Sequence, residues 1–296
     1  MAPGLAIGME ACASMGFSDA VTCAIVTFNS EMVIGDCLAS LLLQVDGSQV
    51  LVYDNASQDE TLLRVAEASS AVRVICGTQN IGFGRAVNAL RPEVRTPYLL
   101  LLNPDGVMQP GAIEELADLA ESLQEVAVLG AVQLTPDGRY VGPEPSEGRY
   151  REVDCIFGAA MLLRLAAFPS HSPLFDPRFW MYYEDSDLCL SALRRGHKIV
   201  LANHAIIVHE PGCSSRLVSP SETLAIKRRQ YLEYLISGRV FAFKHKGKAR
   251  ALASAGFWMV AYYLQYVFLF IRRHPRRYPM YQKSLACALF YGRVFA

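Results

Sequence analysis

Three acidic residues lie close together in the chain, directly after a cluster of aromatic residues. The segment FWMYYEDSDLCLSALRRGHKIV, residues 179–200, contains Glu184, Asp185 and Asp187. The apolar residues that follow are spaced as in a helix, so the acids occupy its first turn. Carboxylates there face unpaired N–H groups and the positive end of the helix dipole, and capping alone would explain them. The same environment would also keep a carboxylate ionised, as a general base requires.

Small polar residues follow three short apolar runs, at the point where each run ends. They are Asn29, then Asp54 with Asn55, then Asn103 and Asp105. In an open α/β sheet the ligand binds beyond the carboxyl ends of the strands. Asn and Asp are also common in turns, so one such residue would mean little. Three corresponding strand ends predict a binding site.

A glycine-bearing segment, NIGFGRAVN at residues 80–88, leads into a helical pattern. Glycine allows the backbone to approach a phosphate or ribose closely, and a helix start favours anions. The spacing matches neither GxGxxG nor a Walker A loop, so dinucleotide and P-loop sites are not favoured.

The elements that must position these residues alternate between strand and helix patterns. The first strands are predicted at 21–28, 49–54, 72–77 and 97–103, and later ones at 125–134, 198–202 and 205–209. Continuously apolar strands separated by amphipathic helices predict an α/β fold with a mostly parallel central sheet and helices on both faces. Residues 135–151, rich in Gly, Pro and charge, are expected to form a surface loop.

Cysteine usage and the N-terminus bear on the compartment. The eight cysteines among 296 residues form no CxxC pair, and each lies in or beside an apolar run. Free thiols in a reducing compartment are therefore expected, without a structural zinc site. Residues 1–19 lack the basic start of a signal peptide and are expected to be a poorly ordered extension.

The formal net charge of zero conceals two regions of opposite sign. Residues 227–296 hold 14 Lys/Arg and one acid, Glu233; this leaves 14 of the 28 basic residues and 27 of the 28 acids for residues 1–226. Such an asymmetry predicts that the basic region meets an anionic surface, either nucleic acid or membrane.

The uncharged run at residues 251–271 favours membrane over nucleic acid. As a helix it would be ~30 Å long, enough to span a bilayer, yet Lys and Arg flank it on both sides. Ser254, Trp258, Tyr262 and Tyr266 fall on one face, which favours a helix lying in the plane of an anionic membrane. A spanning helix, or a soluble helix packed on the rest of the chain or in a homo-oligomer, remains open. The run is too apolar for a nucleic-acid surface.

Taken in order, several segments resemble family 2 glycosyltransferases with the GT-A (Rossmann-like) fold, in particular bacterial rhamnosyltransferase-type members. The resemblance covers about residues 20–212 and rests on the following segments: VTFNS, VYDNASQDET, NIGFGRAVN, LLLLNPDG, FGAAMLLRL and FWMYYEDSDLCLSALRRGH. It implies a catalytic domain at 20–212, with nucleotide-sugar binding in 20–110 and the acceptor side in 111–212. Residues 213–296 would form the basic, helical, membrane-associated region.

The resemblance also implies which residues bind the nucleotide-sugar donor. Asn29, Asp54 and Asn55 would lie at the base and ribose. The ribose and diphosphate would be lined by Asn80, Gly82, Gly84 and Asn88.

A divalent cation is a further implication of the resemblance. Asn103-Pro104-Asp105 stands where the family usually has Asp-x-Asp, so one carboxylate is replaced by an amide. Asp105 would still hold Mg²⁺ or Mn²⁺ on the diphosphate. His209 is a second metal-ligand candidate, although a histidine at a strand end can equally be an ordinary residue.

For the acids of residues 184–187, the resemblance assigns the base to Asp185, which would take the proton from the acceptor hydroxyl. Glu184 and Asp187 would orient the acceptor or cap the helix. Trp180, Tyr182 and Tyr183 would stack on sugar rings or pack in the core.

The function expected from these features is an inverting glycosyltransferase. It would transfer a sugar, best matched by L-rhamnose from dTDP-L-rhamnose, to a saccharide or lipid-linked saccharide at the cytoplasmic face of a bacterial inner membrane. Two alternatives are a nucleotidyltransferase, which would need a Gly-rich basic loop that is missing near residues 26–36, and a non-catalytic, membrane-bound sugar-nucleotide-binding protein.

Overall fold

The computed structural model describes residues 17–209 and 220–295. Most of the N-terminal extension expected at residues 1–19 lies outside this range, and residues 17–20 form a short 3₁₀ helix.

The described residues form ten strands and eight α-helices. The strands are β1 (Val21–Thr27), β2 (Val50–Asp54), β3 (Arg73–Cys76), β4 (Tyr98–Leu102), β5 (Gly106–Met108), β6 (Val126–Leu134), β7 (Tyr140–Val141), β8 (Tyr150–Glu152), β9 (Ala160–Arg164) and β10 (Lys198–His209). The helices are α1 (Ile34–Leu42), α2 (Thr61–Ala68), α3 (Phe83–Leu90), α4 (Ala112–Ser122), α5 (Glu184–Arg194), α6 (Pro220–His245), α7 (Lys248–Ile271) and α8 (Arg277–Phe295).

The strands belong to one sheet, in the order β3-β2-β1-β4-β9-β6-β10-β5, with β7 beside β6 and β8 beside β10. The α/β class is confirmed. The sheet is parallel from β3 to β4, as the sequence predicts. Beyond β4 it is mixed, because β9 runs antiparallel to both of its neighbours and β5 runs antiparallel to β10.

Helices cover both faces of the sheet, which explains why the strands are apolar throughout. Successive residues of β4 point to opposite faces: Leu100 packs in the cluster with α1, α2 and α4, and Leu101 packs in the cluster with α3 and α5. Both leucines are fully buried, and each contributes about 1.5–3 kcal/mol by leaving water.

The last strand differs from its prediction. The two strands expected at 198–202 and 205–209 form the single strand β10, with a register shift between Ala202 and Ile206. Within this strand, the side-chain amide of Asn203 donates hydrogen bonds to the carbonyls of Ser146 and Gly148. The loop expected at 135–151 carries two short strands, β7 and β8.

Helices α6, α7 and α8 pack on one another and on the segment that precedes α5. Their shared apolar cluster contains Ile236, Phe243 and Phe290 of the helices together with Phe179. Within the helices, Arg293 holds the carboxylate of Glu233 through both of its oxygens, at 2.9 and 2.7 Å. The C-terminal helices are therefore packed against the α/β part of the chain.

Candidate active site

A cleft of about 730 Å³ opens at the carboxyl ends of β1, β2 and β4. Its lining includes most of the sequence-predicted donor and acceptor residues: Asn29, Asn55, Asn80, Gly82, Asn103, Asp105, Trp180, Glu184, Asp185 and His209. Parallel strands place their carboxyl ends at one edge, so residues far apart in the chain are brought together.

Asn29 and Asn55 are held in place by the loops that carry them. Asn29 adopts a left-handed backbone conformation, with φ of 51°, and its Oδ1 accepts a hydrogen bond from the N–H of Gln58 at 2.9 Å. Oδ1 of Asn55 accepts from the N–H of Ile81 at 3.0 Å. These bonds fix the two amides at the edge of the cleft.

Asp54 does not line the cleft, in contrast to its predicted contact with the base or ribose. The residue is 1 % exposed, and its carboxylate accepts hydrogen bonds from Oγ1 of Thr27 and the N–H of Ser57, both at 2.8 Å. Both carboxylate oxygens are therefore hydrogen-bonded, one to the end of β1 and the other to the loop that follows β2. Asp54 therefore positions the neighbouring loop.

The turn before α3 is built around Gly82. Its φ is +86°, and a Cβ at this position would overlap the carbonyl oxygen of Trp180. That carbonyl accepts from the N–H of Phe83 at 3.2 Å, and Oδ1 of Asn80 accepts from the N–H of Gly82 at 3.0 Å. Only glycine permits this close approach, which sets the N-terminus of α3 against the cleft.

Gly84 and Asn88 do not line the cleft, although the resemblance placed them at the ribose and diphosphate. They are four residues apart on α3 and so share one face of the helix. That face packs on Phe175: a Cβ at Gly84 would lie 2.9 Å from Cβ of Phe175. Asn88 binds the backbone of Phe175 through both atoms of its amide, at 2.7 and 2.9 Å. Both residues hold α3 in place.

Asp105 and His209 form a pair at the floor of the cleft. Nε2 of His209 lies 3.3 Å from Oδ1 of Asp105, and their side chains are 9 % and 6 % exposed. The pairing of β5 with β10, which sets His209 opposite Gly106, brings them together. Nδ1 of His209 has no hydrogen-bond partner among the described residues.

The donor set of this pair fits a divalent cation that the substrate helps to bind. One carboxylate and one imidazole lie within reach of each other, and Mg²⁺ and Mn²⁺ typically complete their coordination with water and substrate phosphates. No cluster of three or more His, Cys, Asp or Glu side chains suited to a metal occurs within residues 17–209 and 220–295. The protein alone therefore offers a partial coordination shell.

Asp185 and Glu184 lie at the start of α5 in different environments. Asp185 accepts hydrogen bonds from the N–H of Gly158 at 3.3 Å and from the N–H of Ser186 at 2.6 Å. Burial raises the pKa of Asp185, and these hydrogen bonds oppose the shift. Burial, together with the charge of Asp185, raises the pKa of Glu184 to about 8, and its Oε2 is buried without a partner among the described residues. At neutral pH, Asp185 is thus the better candidate for the ionised base, and Glu184 is the carboxyl that retains its proton.

The backbone before these acids is strained. Tyr182 and Tyr183 both have φ of 67°, in the left-handed region that bulky side chains rarely adopt. Such strain concentrates at functional sites. Here it turns the chain sharply into α5 and places both acids on the cleft.

Asp187 does not lie on the acceptor side. It is 4 % exposed, and its two oxygens bind Lys244 and His245 of α6 at 2.8 and 2.6 Å. Positions 185 and 187 lie on different faces of α5. The side chain of Asp187 therefore points toward α6, whereas that of Asp185 lines the cleft. The prediction for Asp187 is therefore corrected: this carboxylate joins α5 to α6.

Several cleft residues went unnoticed in the sequence. Gln133 and Phe157 line the cleft from β6 and from the loop before β9, and Arg229 lines it from α6. No local pattern marks them, because each is brought in by tertiary packing. For Arg229, the one sequence signal was the charge asymmetry, because a basic C-terminal region could supply a cation to the acidic N-terminal region.

With this geometry in place, comparisons with known proteins identify the family. The model of the family described as Glycosyl transferase family 2 matches residues 22–187, more than half of the chain. The chain belongs to glycosyl transferase family 2. It is a glycosyltransferase, and the family predicted from the sequence is confirmed.

Other family-level comparisons agree. An N-acetylglucosaminyl-diphospho-decaprenol L-rhamnosyltransferase from Mycobacterium tuberculosis is 26% identical over 280 residues, covering 79% of this chain and 88% of that protein. Among solved structures, S. aureus TarS 1-349 has a TM-score of 0.55 at 18% identity, covering 76% of this chain and 73% of that one.

A second solved structure extends over more of the chain. The mannosyltransferase PcManGT from Pyrobaculum calidifontis, in complex with GDP-Man and Mn²⁺, has a TM-score of 0.55 at 14% identity and covers 93% of this chain and 86% of that one. These structural likenesses confirm the GT-A glycosyltransferase fold.

Proposed function

We propose that this family 2 glycosyltransferase inverts the anomeric centre of its donor and transfers L-rhamnose from dTDP-L-rhamnose to a lipid-linked saccharide in bacterial cell-surface polysaccharide synthesis. The observation that carries the proposal is the position of Asp185. Its carboxylate lines the same cleft as Asn29, Asn55 and Gly82. The proposed base on the acceptor side and the residues proposed to bind the nucleotide therefore share one cavity.

The donor half of the cleft suits a nucleoside diphosphate. The fixed amides of Asn29 and Asn55 offer hydrogen bonds to a base and ribose. The start of α3 reaches the cleft through Gly82 and Phe83, and the positive end of its helix dipole favours phosphate. The donor sugar is proposed from the 26% identical relative, whose name specifies an L-rhamnosyltransferase.

The acceptor half contains the groups that move a proton. The acceptor hydroxyl attacks the anomeric carbon on the face opposite the nucleoside diphosphate, its proton passes to Asp185, and the bond to the diphosphate breaks. The hydrogen bonds from Gly158 and Ser186 orient the base. Protonated Glu184 can donate a hydrogen bond to a substrate oxygen from the same helix turn.

A divalent cation, Mg²⁺ or Mn²⁺, would be held by Asp105 and His209. When bound, it offsets the negative charge that develops on the leaving diphosphate. Support comes from the 3.3 Å separation of the two side chains and from related folds solved with Mn²⁺.

The proposed acceptor is a saccharide linked through diphosphate to a polyprenol, as in the name of the relative. We place the enzyme peripherally, at the cytoplasmic face of the inner membrane. By length and composition, helix α7 could cross a membrane, and only 6% of its most apolar 18-residue stretch is buried within the protein.

The surroundings of α7 favour a position in the membrane plane. Along its length it packs on α8, where Tyr266 meets Tyr281 at 5.4 Å between ring centroids and the Ser284 hydroxyl binds the carbonyl of Met259. A spanning α7 would draw polar residues of α8, such as Gln282 and Lys283, into hydrocarbon. An in-plane position leaves them in the headgroup region.

The test uses the full-length protein in anionic vesicles that contain N-acetylglucosaminyl-diphospho-polyprenol. We expect dTDP-L-rhamnose to give a lipid product heavier by one deoxyhexose, with inverted anomeric configuration by NMR. UDP-GlcNAc and GDP-mannose serve as competing donors. Transfer from either of them in place of dTDP-L-rhamnose would reject the donor assignment, and a product with retained configuration would reject the mechanism.

A further inference from the structure

Arg229 is the only Lys or Arg among the described side chains that line the catalytic cleft. Five acids line the same space: Glu31, Asp59, Asp105, Glu184 and Asp185. The ion pairs found between described side chains do not include Arg229. A fixed cation is therefore offered to the cleft by α6, outside the segment that matches the family model.

The guanidinium is located by an aromatic ring. Cζ of Arg229 lies 4.3 Å from the centroid of the Trp180 ring. The indole N–H of Trp180 donates to the carbonyl of Asn80 at 3.4 Å, and its backbone carbonyl abuts Gly82. A single indole ring thus connects Arg229 with the turn that begins α3.

Helix α6 is held firmly enough to keep Arg229 in this place. The hydroxyl of Ser237, two turns further along α6, donates to the carbonyl of Met181 at 2.8 Å. At the end of the helix, Lys244 and His245 bind the buried carboxylate of Asp187. These contacts fix α6 to the segment that contains Trp180 and Asp185.

The charge balance of the cleft indicates what Arg229 is for. A diphosphate entering among the carboxylates of Glu31, Asp59, Asp105 and Asp185 would be repelled unless a cation compensates for its charge. The planar guanidinium presents paired N–H groups that match two phosphate oxygens, and its stacking on Trp180 limits the entropy lost on binding. From this juxtaposition we propose that Arg229 binds diphosphate oxygens of a substrate, an inference that rests on the proposed function.

Two substrates could supply that diphosphate: the nucleoside diphosphate of the donor and the diphosphate of the lipid-linked acceptor. The experiment separates them. Calorimetry on the full-length protein measures binding of dTDP, UDP and thymidine to the wild type, Arg229→Ala and Arg229→Lys. Steady-state kinetics then give the KM for N-acetylglucosaminyl-diphospho-polyprenol and for a soluble GlcNAc glycoside without diphosphate.

Arg228→Ala is the matched control. Arg228 is the adjacent residue of α6, but its guanidinium lies 4.1 Å from the ring centroid of Tyr278 on α8 and does not line the cleft. It removes the same charge from the same helix turn, so any general effect of charge or of helix stability is shared by both variants.

If the donor supplies the diphosphate, Arg229→Ala weakens dTDP or UDP binding by about tenfold or more and leaves thymidine binding unchanged. Arg229→Lys should recover part of the loss. If the acceptor supplies it, dTDP binding is retained and the KM rises for the diphosphate lipid but not for the soluble glycoside. Either pattern supports the inference.

Three outcomes overturn it. Equal losses for dTDP and thymidine would mean that Arg229 merely supports the packing of Trp180. Equal losses in Arg228→Ala would indicate a general charge effect, and unchanged values in every assay would mean that Arg229 binds no diphosphate. The proposed function is tested separately by the wild type: if it binds no nucleoside diphosphate at all, that function fails before the variants are compared.

Discussion

The carboxylate of Asp187 lies 2.6 Å from Nε2 of His245, which follows it by 58 positions in the chain. The other ring nitrogen of His245 lies 2.6 Å from an Nη atom of Arg194. A guanidinium can only donate, so Nδ1 of His245 accepts, and the N–H at Nε2 donates a hydrogen bond to the carboxylate of Asp187. The helix that begins with the two cleft acids is thereby tied at both ends to the last turn of α6.

Asp187→Asn should destabilise the protein without touching the cleft. The change leaves Lys244 and His245 facing a neutral amide in a buried position, and we expect the free energy of unfolding to fall by about 1–3 kcal/mol. Denaturant unfolding measures it. Glu152→Gln is the control. Glu152 pairs with Lys198, both side chains are well exposed, and exposed ion pairs contribute about 0–1 kcal/mol to stability. Equal small effects would show that the Asp187 contact is energetically unimportant.

Asp185→Asn should lower turnover by at least about 10²-fold, the lower end of general-base contributions. Asn retains the shape and the hydrogen bond from Gly158 but cannot take a proton. Donor binding and melting temperature should change little. Glu184→Gln, which keeps the side chain neutral, should be milder. Near-normal turnover in Asp185→Asn, with a collapse in Glu184→Gln, would reverse the assignment.

The acidic limb of the pH–rate profile offers a second test of Asp185. The base acts only when deprotonated, and burial raises its pKa. We therefore expect kcat/KM to begin falling at a higher pH than for an ordinary aspartate, as the solution is acidified. A profile that stays flat through the normal titration range of aspartate would argue against this base.

Glu184 should make stability depend on pH. Its pKa is raised by burial to about 8, whereas the unfolded chain titrates at the ordinary value of about 4.3. Between these values the folded state holds the proton more tightly, so this group's contribution to stability is full below the unfolded pKa and is lost as pH rises toward 8. Glu184→Gln should therefore become increasingly stabilising, relative to the wild type, from about pH 4.5 to pH 8. Unfolding midpoints across that range measure it, and a constant difference would refute the raised pKa.

Asp105→Asn and His209→Gln should each weaken Mn²⁺ binding in the presence of dTDP, because each removes one of two protein ligands. Electron paramagnetic resonance titration reports bound Mn²⁺ independently of turnover. Asp59→Asn is the control carboxylate, since Asp59 lines the same cleft but accepts hydrogen bonds from the backbone of Glu31 and Thr61. If only Asp59→Asn abolished Mn²⁺ binding, the metal would be held by Asp59, and Asp105 and His209 would not be its ligands.

The outer face of α7 should carry membrane binding. Phe257, Leu264 and Ile271 recur at seven-residue spacing and are 67, 63 and 74 % exposed, so changing all three to Ser should abolish sedimentation with anionic vesicles. Leu43→Ser is the control, because Leu43 is even more exposed, at 83 %, but lies on α1's side of the molecule, away from α7. Binding should also weaken with salt, as polybasic flanks predict.

Substitution is a cleaner test here than truncation. Ending the chain near residue 245 would uncover Phe179 and Phe243, which pack against Phe290 of α8. Vesicle binding unaffected by the three serines would contradict the membrane assignment and favour a protein partner for this face.

Local pattern alone was enough to predict the α/β class, the first four strands, the glycine turn at Gly82 and the acids at the start of α5. Each of these depends on neighbours within a few residues: a continuous apolar run in a strand covered on both faces, a glycine at a tight turn, or the unpaired N–H groups of a helix end. The family resemblance, which the family model confirms, rests on the same short segments.

Tertiary structure decided what the polar residues do. Asn55, Asn80 and Asp185 line the cleft. Asp54, Asn88 and Asp187 belong to the same residue types, yet they lie outside the cleft and are hydrogen-bonded elsewhere in the fold. The direction of a side chain depends on which face of its element is packed, and on partners such as His245 that lie far along the chain. Arg229 reaches the cleft for the same reason, because the docking of α6, and no local sequence pattern, places its charge beside Trp180.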